Sequence, residues 1–220
     1  MTARTATADL LIIAKEPVPG RVKTRLSPRY TPEQAAELAA AALADTLEAA
    51  ARTRAARRTL ALSGTPGAWL PPGVRVVPQR GDGLDERLAH AFTDAYDGRP
   101  VVLVGMDTPQ VTPALLAMAA GALRAHDAAF GPATDGGFWL LGLREPDPSL
   151  IAGVPMSRSD TGRIQLARLA DAGLSVALLP ALTDVDTPAD VERVARLVPD
   201  ESRFARAVRR HAQARGKGVP

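Results

Sequence analysis

The apolar positions of this chain fall into two rhythms. Residues 9–14 (DLLIIA) and 101–105 (VVLVG) are apolar almost without interruption, the pattern of strands buried on both faces. Elsewhere a recurring start signal, Thr followed by Pro, opens longer stretches at Thr31-Pro32, Thr112-Pro113 and Thr187-Pro188. A threonine hydroxyl accepts from the free N–H groups of a first helical turn, and proline at the first helical position forfeits no hydrogen bond. Gln34, three residues after Thr31, adds the second half of a capping box. These signals predict helices over 32–51, 113–125 and 188–198. Further helices are expected at 84–96 and at 160–172, the latter closed by Gly173. Further strands are expected at 58–63, 74–78, 128–131, 138–143 and 175–179. Strands alternating with helices specify an α/β fold, a mostly parallel central sheet with helices on both faces. Ligands of such sheets sit beyond the carboxyl ends of the strands, which singles out the loops that follow them.

Size and composition narrow the class. The 220 residues suffice for one domain with a full core, expected over 1–200, followed by a basic tail over 201–220. The apolar share of 46% and charged share of 23% are those of an ordinary folded protein. No apolar run approaches the roughly 18 residues that span a bilayer. Residues 1–9 lack the apolar stretch of a signal peptide, and without cysteine there is no disulfide, thiolate nucleophile or cysteine-ligated metal. A cytoplasmic protein is expected. The net charge is only +3, with arginines gathered at 52–58 and 209–217. No aromatics are interleaved among them for base stacking, so they read as a solvated helix end and a frayed tail, with neither nucleic acid nor membrane as partner. A homodimer is compatible with the sequence and not specified by it.

The loops carry the candidate chemistry. The first, Lys15-Glu16-Pro17-Val18-Pro19-Gly20-Arg21-Val22-Lys23-Thr24-Arg25-Leu26, follows the first strand directly. Lys15, Arg21, Lys23 and Arg25 form either a solvated basic loop or, as their place at a strand's carboxyl end favours, a match for the charge of a di- or triphosphate, with Ala14 and Gly20 beside it on the backbone. The glycine patterns of a P-loop and of a dinucleotide fingerprint are both missing. In Gly105-Met106-Asp107-Thr108-Pro109, Asp107 either holds a hard divalent cation or caps a turn, and Thr108 stands beside the nucleotide. Asp184-Val185-Asp186-Thr187-Pro188 repeats Asp-Thr-Pro beyond the last strand. Asp107 and Asp186 together make a candidate Mg2+ or Mn2+ site, completed by phosphate oxygens and waters. Asp135-Gly136-Gly137-Phe138-Trp139 is either a plain hairpin or sets Asp135 against a metal, a sugar hydroxyl or an acceptor. Gln79-Arg80-Gly81-Asp82-Gly83-Leu84 brings Gln79 and Gly83 to a base or ribose. His90, His126 and His211 have no metal or triad spacing, and Ser157 and Ser159 lack a nucleophile-elbow setting.

The first loop from Ile13, the Gly105–Pro109 loop, the Asp135–Trp139 turn and the Asp184–Pro188 loop, in this order and spacing, resemble the small bacterial transferases of the DUF2064 family. These relate to the nucleotidyltransferases that activate molybdopterin or phospholactate, and the resemblance covers about residues 9–198. It implies a Rossmann-like GT-A fold, a nucleotide in the first-loop pocket and a metal between Asp107 and Asp186. The chain departs from the molybdopterin-type enzymes in lacking their glycine-rich first loop with its Arg-Met ending. It also lacks the Asp-X-Asp after the central strand found in many metal-dependent glycosyltransferases.

Two reactions suit these residues. In nucleotidyl transfer, a phosphorylated or acidic small-molecule acceptor attacks the α-phosphorus of a nucleoside triphosphate. Lys15 then lies near the α-phosphate, and Arg21, Lys23 and Arg25 stabilise the leaving pyrophosphate. In glycosyl transfer from a nucleotide-diphosphate sugar, Asp135 becomes the candidate general base. A non-catalytic nucleotide-binding protein is the third reading, and the intact carboxylate pair and first-loop cations speak against it.

Overall fold

The computed structural model describes residues 8–216. Among them, seven strands form one sheet: β1 (Asp9–Lys15), β2 (Arg58–Ser63), β3 (Arg75–Pro78), β4 (Val101–Gly105), β5 (Ala128–Pro132), β6 (Phe138–Leu143) and β7 (Val176–Leu178). Their order is β3-β2-β1-β4-β6-β5-β7. Neighbours run parallel except β6, which is antiparallel to both β4 and β5. The expected mostly parallel sheet is therefore present, with β1 and β4, the two apolar runs, at its centre.

Six helices complete the described chain: α1 (Pro32–Arg52), α2 (Leu84–Ala95), α3 (Pro113–Ala122), α4 (Thr161–Asp171), α5 (Pro188–Ala195) and α6 (Arg203–Gly216). The three Thr-Pro signals are used as read. Thr31 accepts from Gln34 N while Gln34 returns a bond to the Thr31 N–H, and Thr187 does the same with Asp190. Thr112 caps α3 through Leu115 N. Each strand end lies within one residue of expectation, β7 losing one at both ends, while α3 and α5 stop three residues early.

Alternation along the strands divides the core. Leu10, Ile12, Leu60, Val102 and Val104 point to one face, where α1 and α3 cover them through Ala39, Leu43, Leu47, Leu116 and Leu123. Leu11, Ala61, Leu103, Phe130 and Leu141 point to the other, under Leu88 and Phe92 of α2 and Leu169 of α4. Helix α1 is buried twice over. Its opposite side, with Ala35, Leu38 and Ala42, packs on Val191 and Val194 of α5 and Phe204 and Ala207 of α6. Its alanine richness follows from this, since small side chains let helices and sheet approach from both sides.

Two expectations about the basic segments need correction. The stretch read as a frayed tail is helical over Arg203–Gly216 and docks on α1, with Phe204, Ala205 and Ala207 buried. His211 is buried there too, edge-on to Tyr30. Asp45 of α1 fixes the start of α6 by accepting from Arg203 N (3.0 Å) and Phe204 N (2.9 Å). Residues 217–220 of the expected tail lie outside the described residues. The arginines after α1 are not merely solvated. Arg58 donates to the terminal carbonyls of Ala50 and Thr53, closing the helix, and Arg57 pairs with the buried Asp9 and with Asp97. No helix among the described residues is long and apolar enough to cross a membrane.

Candidate functional site

At the carboxyl ends of β1 and β4, beside the start of β6, the loops enclose a cavity of about 650 Å3. The first loop forms one wall. Pro17 and Pro19 stiffen it, Gly20 turns it at φ +76°, and Val22 and Leu26 anchor it in the core. Lys23 itself adopts left-handed backbone angles (φ 51°, ψ 37°) at the head of a short 3-10 turn, Thr24–Leu26. For a residue with a β-carbon this conformation costs roughly 1 kcal/mol. The anchors on both sides of Lys23 hold it there.

That backbone sends the Lys23 side chain inward. Only 7% exposed, its ammonium bridges Asp107 Oδ1 at 2.8 Å and Asp186 Oδ1 at 2.9 Å. Burial works against its charge, but attraction and hydrogen bonding from both carboxylates prevail, and its pKa is raised above the ordinary lysine value. Arg25 lies on the outer side of Asp186, 3.9 Å from Oδ2 and 74% exposed.

The two carboxylates are held together by bonds between their loops. Val185 N donates to Asp107 O (2.9 Å), and Gln110 and Thr183 exchange a pair of bonds at 3.0 and 3.2 Å. Between them Asp184 accepts from Thr108 Oγ1 at 2.7 Å. Burial pushes the Asp184 carboxyl up to about 7; the Thr108 bond opposes this, and Asp107 and Asp135 add to it by repulsion. Asp184, the first acid of the Asp-X-Asp triplet, thus binds the frame as well as bordering the cavity beside Asp186. Among the described residues no group of three or more His, Asp or Glu side chains is placed to hold a metal. The carboxylates that meet in the cavity, at the Lys23 ammonium, are Asp107 and Asp186.

The remaining walls are fixed by hydrogen bonds to the backbone. Gln79 spends both amide hydrogens on backbone carbonyls, Ala14 O at 2.7 Å and Ala61 O at 3.0 Å. Two acceptors on that side fix the amide orientation, so what Gln79 has left to offer the cavity is a carbonyl oxygen. Asp135 accepts from Gly137 N at 2.8 Å, and the turn it begins is tied to α4 by Gly162 N donating to Gly136 O, also 2.8 Å. The plain β5–β6 hairpin considered for this turn is present, and it also carries Asp135 to the cavity.

Of the residues singled out from the sequence, Ala14, Lys15, Arg21, Lys23, Arg25, Gln79, Asp107, Thr108, Asp135 and Asp186 all line the cavity. Gly20 and Gly83 do not: Gly20 serves the turn, and Gly83 is the residue before α2. Sequence reading passed over Asp184, Arg87, Met156 and Arg158, which do line it. Asp184 had a signal in its Asp-X-Asp spelling. Arg158 had none, since nothing in the chain around it reveals that the loop before α4 borders the cavity.

Comparison with known proteins agrees with this fold. The family described as "uncharacterized protein conserved in bacteria" (DUF2064) matches residues 34–158. The crystal structure of a protein from Desulfovibrio desulfuricans G20, described as a candidate nucleotide-diphospho-sugar transferase, is 32% identical with a TM-score of 0.83, covering 94% of this chain and 95% of that one. CMP:2-keto-3-deoxy-manno-octonic acid synthetase, in complex with CTP, is 16% identical with a TM-score of 0.55, covering 86% and 97%. Rv0371c of Mycobacterium tuberculosis H37Rv, in complex with manganese, is 21% identical with a TM-score of 0.51, again covering 86% and 97%. The last two share the fold alone. No curated protein matches the chain in sequence.

Proposed function

We propose, from the premise that this chain belongs to the DUF2064 family, that it is a metal-dependent nucleotidyltransferase acting on a phosphorylated or acidic small molecule. The observation that carries this reading is the convergence of Asp107 and Asp186 at one point of a cavity that Lys15, Arg21, Lys23 and Arg25 also line. Cations in that number suit a triphosphate, and the fold is shared with a synthetase bound to CTP. An acceptor oxygen attacks the α-phosphorus, the bond to the β-phosphate oxygen breaks, and pyrophosphate leaves. Lys15 holds the α-phosphate, and Arg21, Lys23 and Arg25 take up the charge of the departing pyrophosphate. Gln79 meets the base or ribose as an acceptor.

Asp107 and Asp186 would hold a Mg2+ or Mn2+ ion. Two carboxylates meeting at one point suit a hard cation that keeps phosphate and water among its ligands, and a protein of the same fold has been crystallised with manganese. Such an ion would neutralise charge developing on the phosphoryl oxygens. Nucleotide and small acceptor are the proposed partners, and the cytoplasm the proposed setting.

A second reading is favoured by the description of the 32%-identical relative. In glycosyl transfer the acceptor attacks the anomeric carbon of a nucleotide-diphosphate sugar, Asp135 takes its proton, and a nucleoside diphosphate leaves. Thermal stabilisation by a panel of nucleoside triphosphates and nucleotide sugars, with and without Mg2+ or Mn2+, decides between them. A metal-dependent shift with one triphosphate, followed by pyrophosphate release, supports nucleotidyl transfer. A shift confined to one nucleotide sugar replaces it with the second reading. No shift with any donor overturns both.

A further inference from the structure

We propose that the Lys23 ammonium occupies the metal position of the nucleotide-free protein, so that a divalent cation enters only once nucleotide phosphates draw the lysine away. This rests on the nucleotide and metal reading above and adds to it an order of binding.

The two carboxylates approach the Lys23 nitrogen at 2.8 and 2.9 Å from different loops. Mg2+ would need the same oxygens at about 2.0–2.1 Å. An ammonium and a divalent ion cannot share one point between the same two oxygens, on grounds of size and of like charge. With Lys23 in place, one of the two negative charges of the pair is already neutralised, and its other flank is approached by Arg25. The frame behind the carboxylates does not depend on the lysine, because Val185 N to Asp107 O and the Gln110–Thr183 pair bind it independently. The loops that carry the carboxylates therefore stay side by side when Lys23 leaves.

The lysine has somewhere to go. Lys15, Arg21 and Arg25 line the same cavity and attract a polyphosphate to it. Its oxygens offer the three donors of the ammonium a second set of acceptors. Lysine, a compact charge on a flexible four-carbon stem, suits this exchange better than arginine, whose planar fork would favour two-pronged pairing with one carboxylate. Once the ammonium turns to phosphate, two closely placed carboxylates lose their counter-charge, and the metal supplies it. Nucleotide then raises metal affinity and, by linkage, metal raises nucleotide affinity.

The test is Mn2+ binding to the full chain, read from the paramagnetic resonance signal of free Mn2+, without nucleotide. The wild type is expected to bind weakly and Lys23→Met at least tenfold more tightly, with that gain lost in Lys23→Met/Asp107→Asn. Wild-type protein that binds Mn2+ as tightly as Lys23→Met, in both cases through Asp107, overturns the latch and leaves the metal site standing. Mn2+ held by none of these proteins, nor by the wild type with any nucleotide, overturns the metal reading itself. Should Lys23→Met fail to fold, the wild type decides through its thermal midpoint. A midpoint raised by Mn2+ only together with a nucleoside triphosphate supports the latch; one raised equally by Mn2+ alone overturns it.

Discussion

Gly136 lies against the backbone of Ser159 so closely that a β-carbon on the glycine would fall 1.9 Å from the Ser159 carbonyl oxygen. The contact sits where the Asp135 turn meets the loop leading into α4. Its geometry has two demands, a positive φ of 92° and an absent side chain, and glycine alone meets both. Through it the turn that presents Asp135 is registered against the loop that brings Arg158 to the cavity.

Gly136→Ala is accordingly expected to lower stability by about 1–3 kcal/mol, the cost of forcing extra volume into a packed contact. Since the obstacle is backbone rather than a movable side chain, the turn must shift and carry Asp135 with it. A lower thermal midpoint together with reduced turnover is the expected pair of results. An unchanged midpoint would show that the turn is free of α4.

Replacing either carboxylate of the pair, Asp107→Ala or Asp186→Ala, is expected to slow transfer about a hundredfold or more, some 2.7 kcal/mol of transition-state stabilisation. The fold should survive, because Lys23 keeps the other carboxylate as partner. Steady-state rates with saturating metal check this, and unaltered turnover in both variants would remove the pair from the reaction.

Gln79→Glu sets a carboxylate against the carbonyl oxygens of Ala14 and Ala61, which now receive the amide hydrogens. Two buried acceptors lose their donors and face a charge, a loss of about 1–3 kcal/mol. Weaker nucleotide binding and a lower midpoint are expected together. Gln79→Leu should show the lost recognition with less repulsion, and calorimetric titration of both variants separates the two effects.

Phe204→Ala, at the start of α6, is expected to cost about 3–5 kcal/mol in chemical denaturation, the usual range for a fully buried phenylalanine. Ending the chain at residue 200 removes Phe204, Ala205 and Ala207 from the outer face of α1 and should destabilise further. A midpoint untouched by Phe204→Ala would contradict the docking of α6.

How much of this was legible in the sequence depended on whether the information was local. The three Thr-Pro starts are complete instructions, because cap, proline and first turn are chain neighbours. The strands β1 and β4 announced themselves by being apolar at nearly every position, as burial on both faces requires. Helix α6 was missed although Phe204, Val208 and His211 stand at helical spacing, because the five arginines among the other positions hid a narrow apolar stripe. In the site, the order of loops along the sheet followed from strands ending at one edge, so ten of the singled-out residues meet in one cavity. What local reading could not supply was pairing. Lys23 was read as a cation for phosphate, and its bridging of Asp107 and Asp186, the latter 163 residues away, exists only once β1, β4 and the loop after β7 are side by side.

That separation along the chain also has a meaning in time. Lys23 emerges early in synthesis, Asp107 near the midpoint and Asp186 close to the end, and the helix that seals α1 comes later still. A growing chain therefore carries a cationic loop well before it owns the carboxylates that pair with Lys23. A product cut short before Asp186 keeps the cations of the first loop and lacks the bridge, leaving Lys23 with one of its two carboxylate partners. Completion of the chain, and not only the folding of its first half, is what sets Lys23 between two carboxylates.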